Sequence, residues 1–322
     1  MVRILSEREV ASLLDLGDLL SVIEEAFRKQ GRGEVERPDR PHFPVGSGLE
    51  SDEPLGTGLT MPAYIHGAEC YATKLASVHP GNSSSELATV NAQIAVTDAR
   101  TGTPKAYMDG TRVTGARTGC IAGLAARDLA DDPITLGVIG AGTQARWGAR
   151  AIAAGSTVDS VRVYSPSSSK DRCAADLVDR EIPAEAAESP EDAVSGANVV
   201  LTATTSEEPV FPGSALEPDA LVVAVGAYSE EMRELDAETV RRAEAVLADV
   251  PEEAIQTGDL HESDLELDDL IPFSSVFEGE FSRPEGIVVL CSVGSAVLDA
   301  ATASYLIEQA ETEDRGTSVS LG

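Results

Sequence analysis

The stretch from residue 134 to residue 292 constrains the fold most, because short apolar runs alternate there with segments of helical character. The runs cover residues 134–140, 161–165, 197–205, 220–226, 243–250 and 286–292. Continuous apolar runs of this length are typical of strands buried on both faces of a parallel sheet, with helices as the connections. The pattern therefore predicts an α/β domain built on a parallel sheet.

The turn after the first of these runs has the form G-x-G-x-x-A and opens a predicted helix near Thr143. Its residues are Gly140, Ala141, Gly142, Thr143, Gln144 and Ala145. Gly140 permits a tight turn, Gly142 lets the backbone approach a pyrophosphate, and Ala145 allows close packing of helix on strand. Because the N–H groups at the start of such a helix attract phosphates, we expect these six residues to bind a dinucleotide.

The second apolar run ends without the carboxylate that usually binds the ribose 2′-hydroxyl of NAD. Hydroxyl and cationic side chains follow it instead, namely Ser165, Ser167, Ser168, Lys170 and Arg172. Asp159 precedes the run and is expected at the opposite end of that strand. The absence of a carboxylate favours NADP(H) over NAD(H), and a serine-rich loop without a phosphate contact is the alternative.

The charge of the chain narrows the classes of partner. The sequence has 55 acidic and 24 basic residues, so its formal net charge is −31, and only four of the basic residues are lysines. Such a surplus repels nucleic acid and anionic membranes, and we expect neither as a partner. An acidic, lysine-poor surface suits molar salt, where the Debye length is about 3 Å. We therefore expect a halophilic source, with an ordinary acidic protein as the alternative.

The sequence shows no clear pattern of a membrane helix, a signal peptide or a metal site. No stretch approaches the roughly 18 apolar residues of a membrane helix, and acids within the first ten residues do not fit a signal peptide, so we expect a cytoplasmic protein. The four cysteines lie far apart and the four histidines lack metal-ligand spacing. We expect no metal site.

The remaining segments predict an α+β region. Ser6 and Glu9 form a capping box before a single opening helix whose apolar residues recur through Ile23, and a loop follows from residue 31 to about 58. Strands are expected at 70–78, 91–98 and 105–110, and helices at 114–130 and about 296–311.

Several motifs, taken in order, resemble the ornithine cyclodeaminase/mu-crystallin family over nearly the whole chain. They lie at residues 37–40, 61–64, 73–75, 79–82, 109–118, 140–145, 225–227, 233–236, 257–259 and 292–294, with Asp299 beyond. The resemblance implies a Rossmann-type domain at 120–292, inserted into an α+β substrate-binding and dimerisation domain made of 1–119 and 293–322. It also implies NAD(H) or NADP(H) as cofactor, a small amino or imino acid as substrate, and a homodimer.

The resemblance further indicates the site residues. Arg40, Lys74 and Arg117 match the family's cationic cluster around the substrate carboxylate, and we expect Lys74 to be catalytic as well. Without the resemblance, each arginine would rather be a surface ion-pair partner. The motifs after two later strands add Val225, Gly226, Val293 and Gly294 to the expected cofactor site, although a simple helix-entry turn fits the last two equally well. Glu234 and Asp236 are expected to cap the next helix without a chemical role.

One departure from the family bears on the reaction. Cyclodeaminase-type and alanine dehydrogenase-type members carry Asp where this chain has Tyr228, and a phenol is a poor general base at neutral pH. We therefore expect an NAD(P)-dependent oxidoreductase that reduces ketimines or reversibly oxidises an amino acid such as alanine. An ornithine cyclodeaminase with tightly bound NAD and a non-catalytic mu-crystallin-like binding protein are the alternatives.

Overall fold

The computed structural model describes residues 1–84, 87–261 and 263–320. In those ranges the chain forms the strands β1 (Val2–Leu5), β2 (Val35–Glu36), β3 (His42–Val45), β4 (Gly56–Ile65), β5 (Cys70–Val78), β6 (Val90–Asp98), β7 (Pro104–Asp109), β8 (Ile134–Ile139), β9 (Val158–Tyr164), β10 (Ala184–Ala186), β11 (Val199–Thr202), β12 (Leu221–Ala224), β13 (Ala243–Ala248), β14 (Leu270–Pro272), β15 (Ile287–Cys291) and β16 (Thr317–Val319). The helices are α1 (Glu7–Leu13), α2 (Leu16–Gly31), α3 (Gly110–Leu129), α4 (Thr143–Gly155), α5 (Ser169–Val178), α6 (Pro190–Val194), α7 (Ala237–Arg242), α8 (Pro251–Ala254), α9 (Ser274–Glu278) and α10 (Ala296–Thr312).

The chain divides into two compact units. The first comprises Met1–Asp15, Arg32–Arg117 and Ala296–Gly322, and the second comprises Leu16–Gly31 and Thr118–Ser295. The roles expected for the segments 1–119, 120–292 and 293–322 stay predictions, and residues 321 and 322 lie outside the described ranges.

The second unit contains an all-parallel sheet in the order β10-β9-β8-β11-β12-β15-β13-β14. Every residue of β11, β12 and β15 is buried, as the continuous apolar runs predict for strands covered on both faces. The prediction of a mixed α/β fold with a Rossmann-type parallel sheet is confirmed.

The first unit contains a mostly antiparallel sheet in the order β16-β1-β7-β6-β5-β4-β2, with β3 also paired to β4. Burial alternates along β5, where Cys70, Ala72 and Lys74 are buried and Tyr71 and Leu75 are exposed. Helix α10 packs on β4, β5 and β6. A sheet with one covered face accounts for the alternation.

Two helices differ from the sequence prediction. The capping box of Ser6 and Glu9 is present, but the single opening helix is wrong, because Leu14 is extended and separates α1 from α2. The break lets α1 pack on β1, β7 and α10, while α2 packs on α4 and α9 in the other unit. Helix α3 begins at Gly110 rather than Thr114, since the Asp109 carboxylate accepts the Arg112 N–H at 2.8 Å and satisfies the helix start.

Two smaller differences concern strands. The expected loop at 31–58 contains β2 and β3, which pair with β4. Strand β9 begins at Val158 rather than residue 161, and the exposed Asp159 lies at its amino end. Within the described residues, no helix combines the length and apolar character needed to cross a membrane.

Candidate functional site

The residues expected to bind a dinucleotide follow strands of the parallel sheet in the second unit. The fingerprint turn follows β8, Ser165–Lys170 follows β9, Val225 and Gly226 follow β12, and Val293 and Gly294 follow β15. Since all these strands run parallel, their carboxyl ends share one edge of the sheet, which is where open α/β sheets bind ligands. The structure therefore brings these four segments to one sheet edge.

The fingerprint turn has the geometry of a cradle. Gly140 has a φ of +108°, and its N–H donates to the Tyr164 carbonyl at 2.8 Å. Gly142 caps α4 with an ordinary φ of −86° and no side-chain cap, and a Cβ built there would meet no described atom within 4 Å. The fold therefore does not demand glycine at 142, whereas a closely approaching ligand would.

Gln144 gives an independent sign of a missing partner. Its Oε1 atom is buried and accepts no hydrogen bond from any described residue. Buried polar atoms almost always have partners. Together with the open space at Gly142, this orphan acceptor fits a nucleotide bound at the start of α4.

The segment after β9 is rich in hydroxyl groups. The Ser169 hydroxyl lies 3.1 Å from that of Ser165 and 2.7 Å from that of Ser167, and Ser168 caps α5 without a side-chain hydrogen bond. The Lys170 ammonium donates to the Ala187 carbonyl at 2.5 Å and lies 5.2 Å from the centre of the Tyr164 ring. Lys170 is thus already held by the protein.

Asp249, which the sequence analysis missed, shapes the turn after β15. Its carboxylate accepts hydrogen bonds from the Ser292 hydroxyl at 2.7 Å, the Val293 N–H at 3.0 Å and the Gly294 N–H at 2.8 Å. Asp249 follows β13, the neighbour of β15 in the sheet. Its position directly after the apolar residues 245–248 is the sequence signal that would have found it.

Glu234 does not cap a helix, so that prediction is wrong. Asp236 alone is the N-cap of α7, where its carboxylate accepts the Thr239 N–H at 2.7 Å. Glu234 is fully buried, and its carboxylate faces the ends of β11 and β12. Glu234 lies two residues before this N-cap, but its partners Thr202 and Gly226 belong to other turns, which the local pattern around a helix start does not encode.

Lys74 and Arg117 converge in the first unit on Asp299 of α10. The Lys74 Nζ lies 2.6 Å from Asp299 Oδ2, and the Arg117 Nε donates to Asp299 Oδ1 at 3.1 Å. All three side chains are buried. A single acid in the apolar stretch at 296–303 is the sequence signal for Asp299, because a buried charge needs a partner.

The environment of this cluster lowers the pKa of Lys74, so its ammonium group is more acidic than that of an ordinary lysine. Burial lowers the pKa of Lys74 to about 8, since the attraction of Asp299 only partly offsets burial and the repulsion of Arg117. Burial alone would raise the pKa of Asp299, but Arg117 and Lys74 hold it below its usual range. The cluster carries two cations and one anion, so it retains a net positive charge toward an anionic ligand.

The other two residues of interest lie in loops. Arg40 follows β2, is half-buried, and lies close enough to Lys74 to lower its pKa. Tyr228 follows β12, is 44% exposed, and has a pKa raised by burial. Its phenol is therefore even less suited to act as a base near neutral pH. The described residues contain no group of three His, Cys, Asp or Glu side chains arranged to hold a metal ion.

Comparison with known proteins places the chain in a family of this architecture. The model of the ornithine cyclodeaminase/mu-crystallin family matches residues 2–314, and the chain belongs to that family. The Δ1-pyrroline-2-carboxylate reductase of Bacillus cereus is 31% identical over 284 residues, covering 84% of this chain and 87% of the relative.

Two solved structures resemble the whole chain. The Δ1-pyrroline-2-carboxylate reductase of Thermococcus litoralis, in complex with NADH and L-proline, has a TM-score of 0.92 and 28% identity, covering 99% of this chain and 100% of that one. An archaeal alanine dehydrogenase dimer with bound NAD has a TM-score of 0.90 and 28% identity, covering 100% of this chain and 99% of that one.

Proposed function

We propose that this protein is an NAD(P)-dependent oxidoreductase of small amino and imino acids, and that it works mainly in the direction of ketimine reduction. The observation that carries the proposal is the buried Lys74–Asp299–Arg117 cluster, in a chain that also has an open glycine cradle at a parallel sheet edge. The names of the relatives, pyrroline-2-carboxylate reductases and an alanine dehydrogenase, support the same reaction class.

The cationic cluster suits a substrate carboxylate. Arg117 contacts Asp299 through Nε, so its two Nη groups can bind both oxygens of a carboxylate, as guanidinium groups commonly do. Asp299 fixes the orientation of both cations, which limits the cost of ordering them when the substrate binds. Arg40 adds positive charge beside Lys74.

Lys74 is the residue we propose as the proton donor of the reaction. A reduced nicotinamide bound at the sheet edge would supply the hydride. Reduction of a C=N bond also needs a proton or a strong hydrogen bond at nitrogen. A buried ammonium with a pKa of about 8 is protonated at neutral pH yet acidic enough to donate.

Tyr228 favours reduction over cyclodeamination. The Asp that the cyclodeaminase type carries at this position can take up a proton, and Tyr228 cannot replace it, whereas imine reduction needs a proton donor, the role proposed for Lys74. The raised pKa of Tyr228 keeps its phenol neutral. Reversible oxidation of alanine is the second candidate, and its support is the likeness to the alanine dehydrogenases.

The test is a turnover assay in high salt with both cofactors. We expect nicotinamide oxidation with Δ1-pyrroline-2-carboxylate and slower oxidation with pyruvate plus ammonia. Proline and ammonia formed from ornithine, without net change in nicotinamide absorbance, would instead indicate a cyclodeaminase. Nucleotide binding without turnover of any imine would indicate a binding protein.

We expect NADPH to have a higher kcat/KM than NADH. The supporting features are the serine hydroxyls and exposed Arg172 after β9, with no carboxylate among residues 164–170. Replacing the exposed Arg172 with Met should lower kcat/KM for NADPH about tenfold, on the scale of one lost charged contact, and leave kcat/KM for NADH unchanged. A preference for NADH in the unaltered protein would contradict this.

We also propose a homodimer formed through the first unit's sheet. Tyr71 and Leu75 project from β5 on the face opposite the one that α10 covers, and they are 38% and 37% exposed. Sedimentation should give twice the mass of the chain, and Tyr71→Glu should give monomer. Leu49→Glu, at a site 78% exposed in a loop, is the matched control and should remain dimeric.

Stability should depend strongly on salt, and we propose that the protein comes from a halophile. With a net charge of −31, self-repulsion opposes the compact state until salt screens it. The unfolding midpoint should rise markedly between about 0.1 M and about 2 M KCl. Equal unfolding midpoints at the two KCl concentrations, measured by circular dichroism, would contradict a halophilic source. The cytoplasmic location stays a prediction.

A further inference from the structure

Glu234 lies beneath the turns that follow β11 and β12. Its Oε2 atom accepts hydrogen bonds from the Thr202 hydroxyl and the Gly226 N–H, both at 2.8 Å. Its Oε1 atom accepts the Thr204 N–H at 2.6 Å. One buried carboxylate therefore connects two consecutive loops of the sheet edge.

The fit between Glu234 and the turn at Gly226 is close. A Cβ at Gly226 would lie 2.6 Å from the Glu234 carboxyl group and 2.3 Å from the Thr204 carbonyl oxygen. Glycine is thus needed at 226 because the carboxylate and the neighbouring loop occupy the space. Val225 adds a backbone link, since its N–H donates to the Thr202 carbonyl at 3.0 Å.

All three groups that contact the carboxylate are donors, so the ionised form fits the site. An amide would turn its NH2 group toward the Thr204 or Gly226 N–H and lose that hydrogen bond, and a protonated acid would have to reverse the hydrogen bond from the Thr202 hydroxyl. Burial and then the repulsion of Asp259 nevertheless raise the pKa of Glu234 to about 7.

Other titratable groups surround this carboxylate. Asp259 accepts the N–H groups of Glu234 and Leu235, and Arg233 attracts Asp259. The Cys291 thiol at the end of β15, whose pKa burial raises, interacts with both carboxylates. Asp259 and Cys291 thus face Glu234 from other segments.

We propose that Glu234 is a positioning residue for the dinucleotide, because its ionised carboxylate holds the turns after β11 and β12 in the shape that receives the nucleotide. The proposal rests on the proposed function, which places the nucleotide at this sheet edge. Burial of this charge costs desolvation free energy, and the three hydrogen bonds to the two turns offset part of that cost.

The contribution of Glu234 to the free energy of unfolding and its contribution to nucleotide affinity should depend on pH in opposite directions. A carboxyl that keeps its proton to about pH 7 in the folded state, against 4.5 ordinarily, binds more protons folded than unfolded across that window. The free energy of unfolding therefore falls as pH rises through it. Nucleotide affinity, by contrast, should increase as pH rises through about 7, since the ionised form accepts all three hydrogen bonds at once, whereas protonation forces the one from Thr202 to reverse.

The experiment measures the Kd of NADH by nucleotide fluorescence for the full chain in KCl, from about pH 6 to about pH 8.5. NADH is used because the 2′-phosphate of NADPH titrates near pH 6 itself. The unaltered protein should bind more tightly as pH rises. Glu234→Gln should weaken binding about tenfold at the alkaline end and abolish the pH dependence.

Asp236→Asn is the matched control. Asp236 also accepts backbone N–H groups, at Gly213 and Thr239, and Asn caps a helix about as well as Asp. This variant should bind NADH as the unaltered protein does, with the same pH dependence. Weakening equal to that of Glu234→Gln would overturn a specific role for Glu234.

The remaining outcomes separate the two proposals. If the unaltered protein binds neither NADH nor NADPH, the proposed function fails. If it binds NADH and Glu234→Gln binds equally well with the same pH profile, only the positioning role fails. Should Glu234→Gln not fold, the pH series of the unaltered protein decides, and a flat Kd would overturn the positioning role.

Discussion

Replacing Lys74 with Met is expected to lower kcat/KM for imine reduction about a thousandfold, the scale of losing a buried charged contact together with a proton donor. Lys74 is 3% exposed and pairs with Asp299 at 2.6 Å. Methionine has a side chain of similar length but carries no charge and has no acidic proton to donate. Steady-state kinetics with a cyclic imino acid would measure the loss.

A second substitution guards against simple unfolding, because removing one member of a buried ion cluster is destabilising. Lys74→Arg keeps a positive charge beside the Asp299 carboxylate, but a guanidinium does not release its proton near neutral pH. It should fold, as judged by circular dichroism, and still lose most activity. Lys105→Met, at a partly exposed lysine on β7, is the matched control. A folded Lys74 variant with kinetics close to those of the unaltered protein would remove Lys74 from the catalytic site.

The same residue predicts a pH profile. Because the pKa of Lys74 is lowered to about 8, its protonated form is lost as pH rises through that value. We expect kcat/KM for imine reduction to fall above about pH 8. A profile that stays level to about pH 10, where an ordinary lysine titrates, would show that Lys74 does not supply the proton.

Replacing Gly142 with Val is expected to weaken NADH and NADPH binding about a hundredfold or more, the scale of losing close phosphate contacts at a helix start. The added side chain would occupy space that no described atom fills. Its φ of −86° suits any residue, so the thermal unfolding midpoint should change little. Nucleotide fluorescence titration and circular dichroism measure the two effects.

The contrasting control is Ser6→Ala in the first unit. Ser6 caps α1 through its capping box with Glu9, so the change should cost about 1 kcal/mol of stability and leave nucleotide affinity unaltered. Gly140→Ala is expected to disturb the fold as well, because φ is +108° and its Cβ would lie 2.4 Å from the Ala203 carbonyl. If Gly142→Val bound either nucleotide normally, the cradle would not be the phosphate site.

The sequence determined those features that depend on near neighbours in the chain. The glycine turn between β8 and α4, the capping box at Ser6 and the apolar runs of the parallel sheet are fixed by backbone sterics and by burial periodicity over a few residues. The same local logic failed where packing dominates. It predicted one opening helix across Leu14 and gave Glu234 a capping role.

Only the tertiary structure decided which charges meet. Arg117 and Asp299 are separated by 182 positions, and Glu234 lies 32 positions from Thr202 yet accepts a hydrogen bond from its hydroxyl. Such pairs form where the packing of strands and helices brings distant parts of the chain together. No local sequence pattern encodes that packing. A buried charge shows in the sequence as a polar residue among apolar ones, but its partner is set by the fold, because only the fold removes both from water.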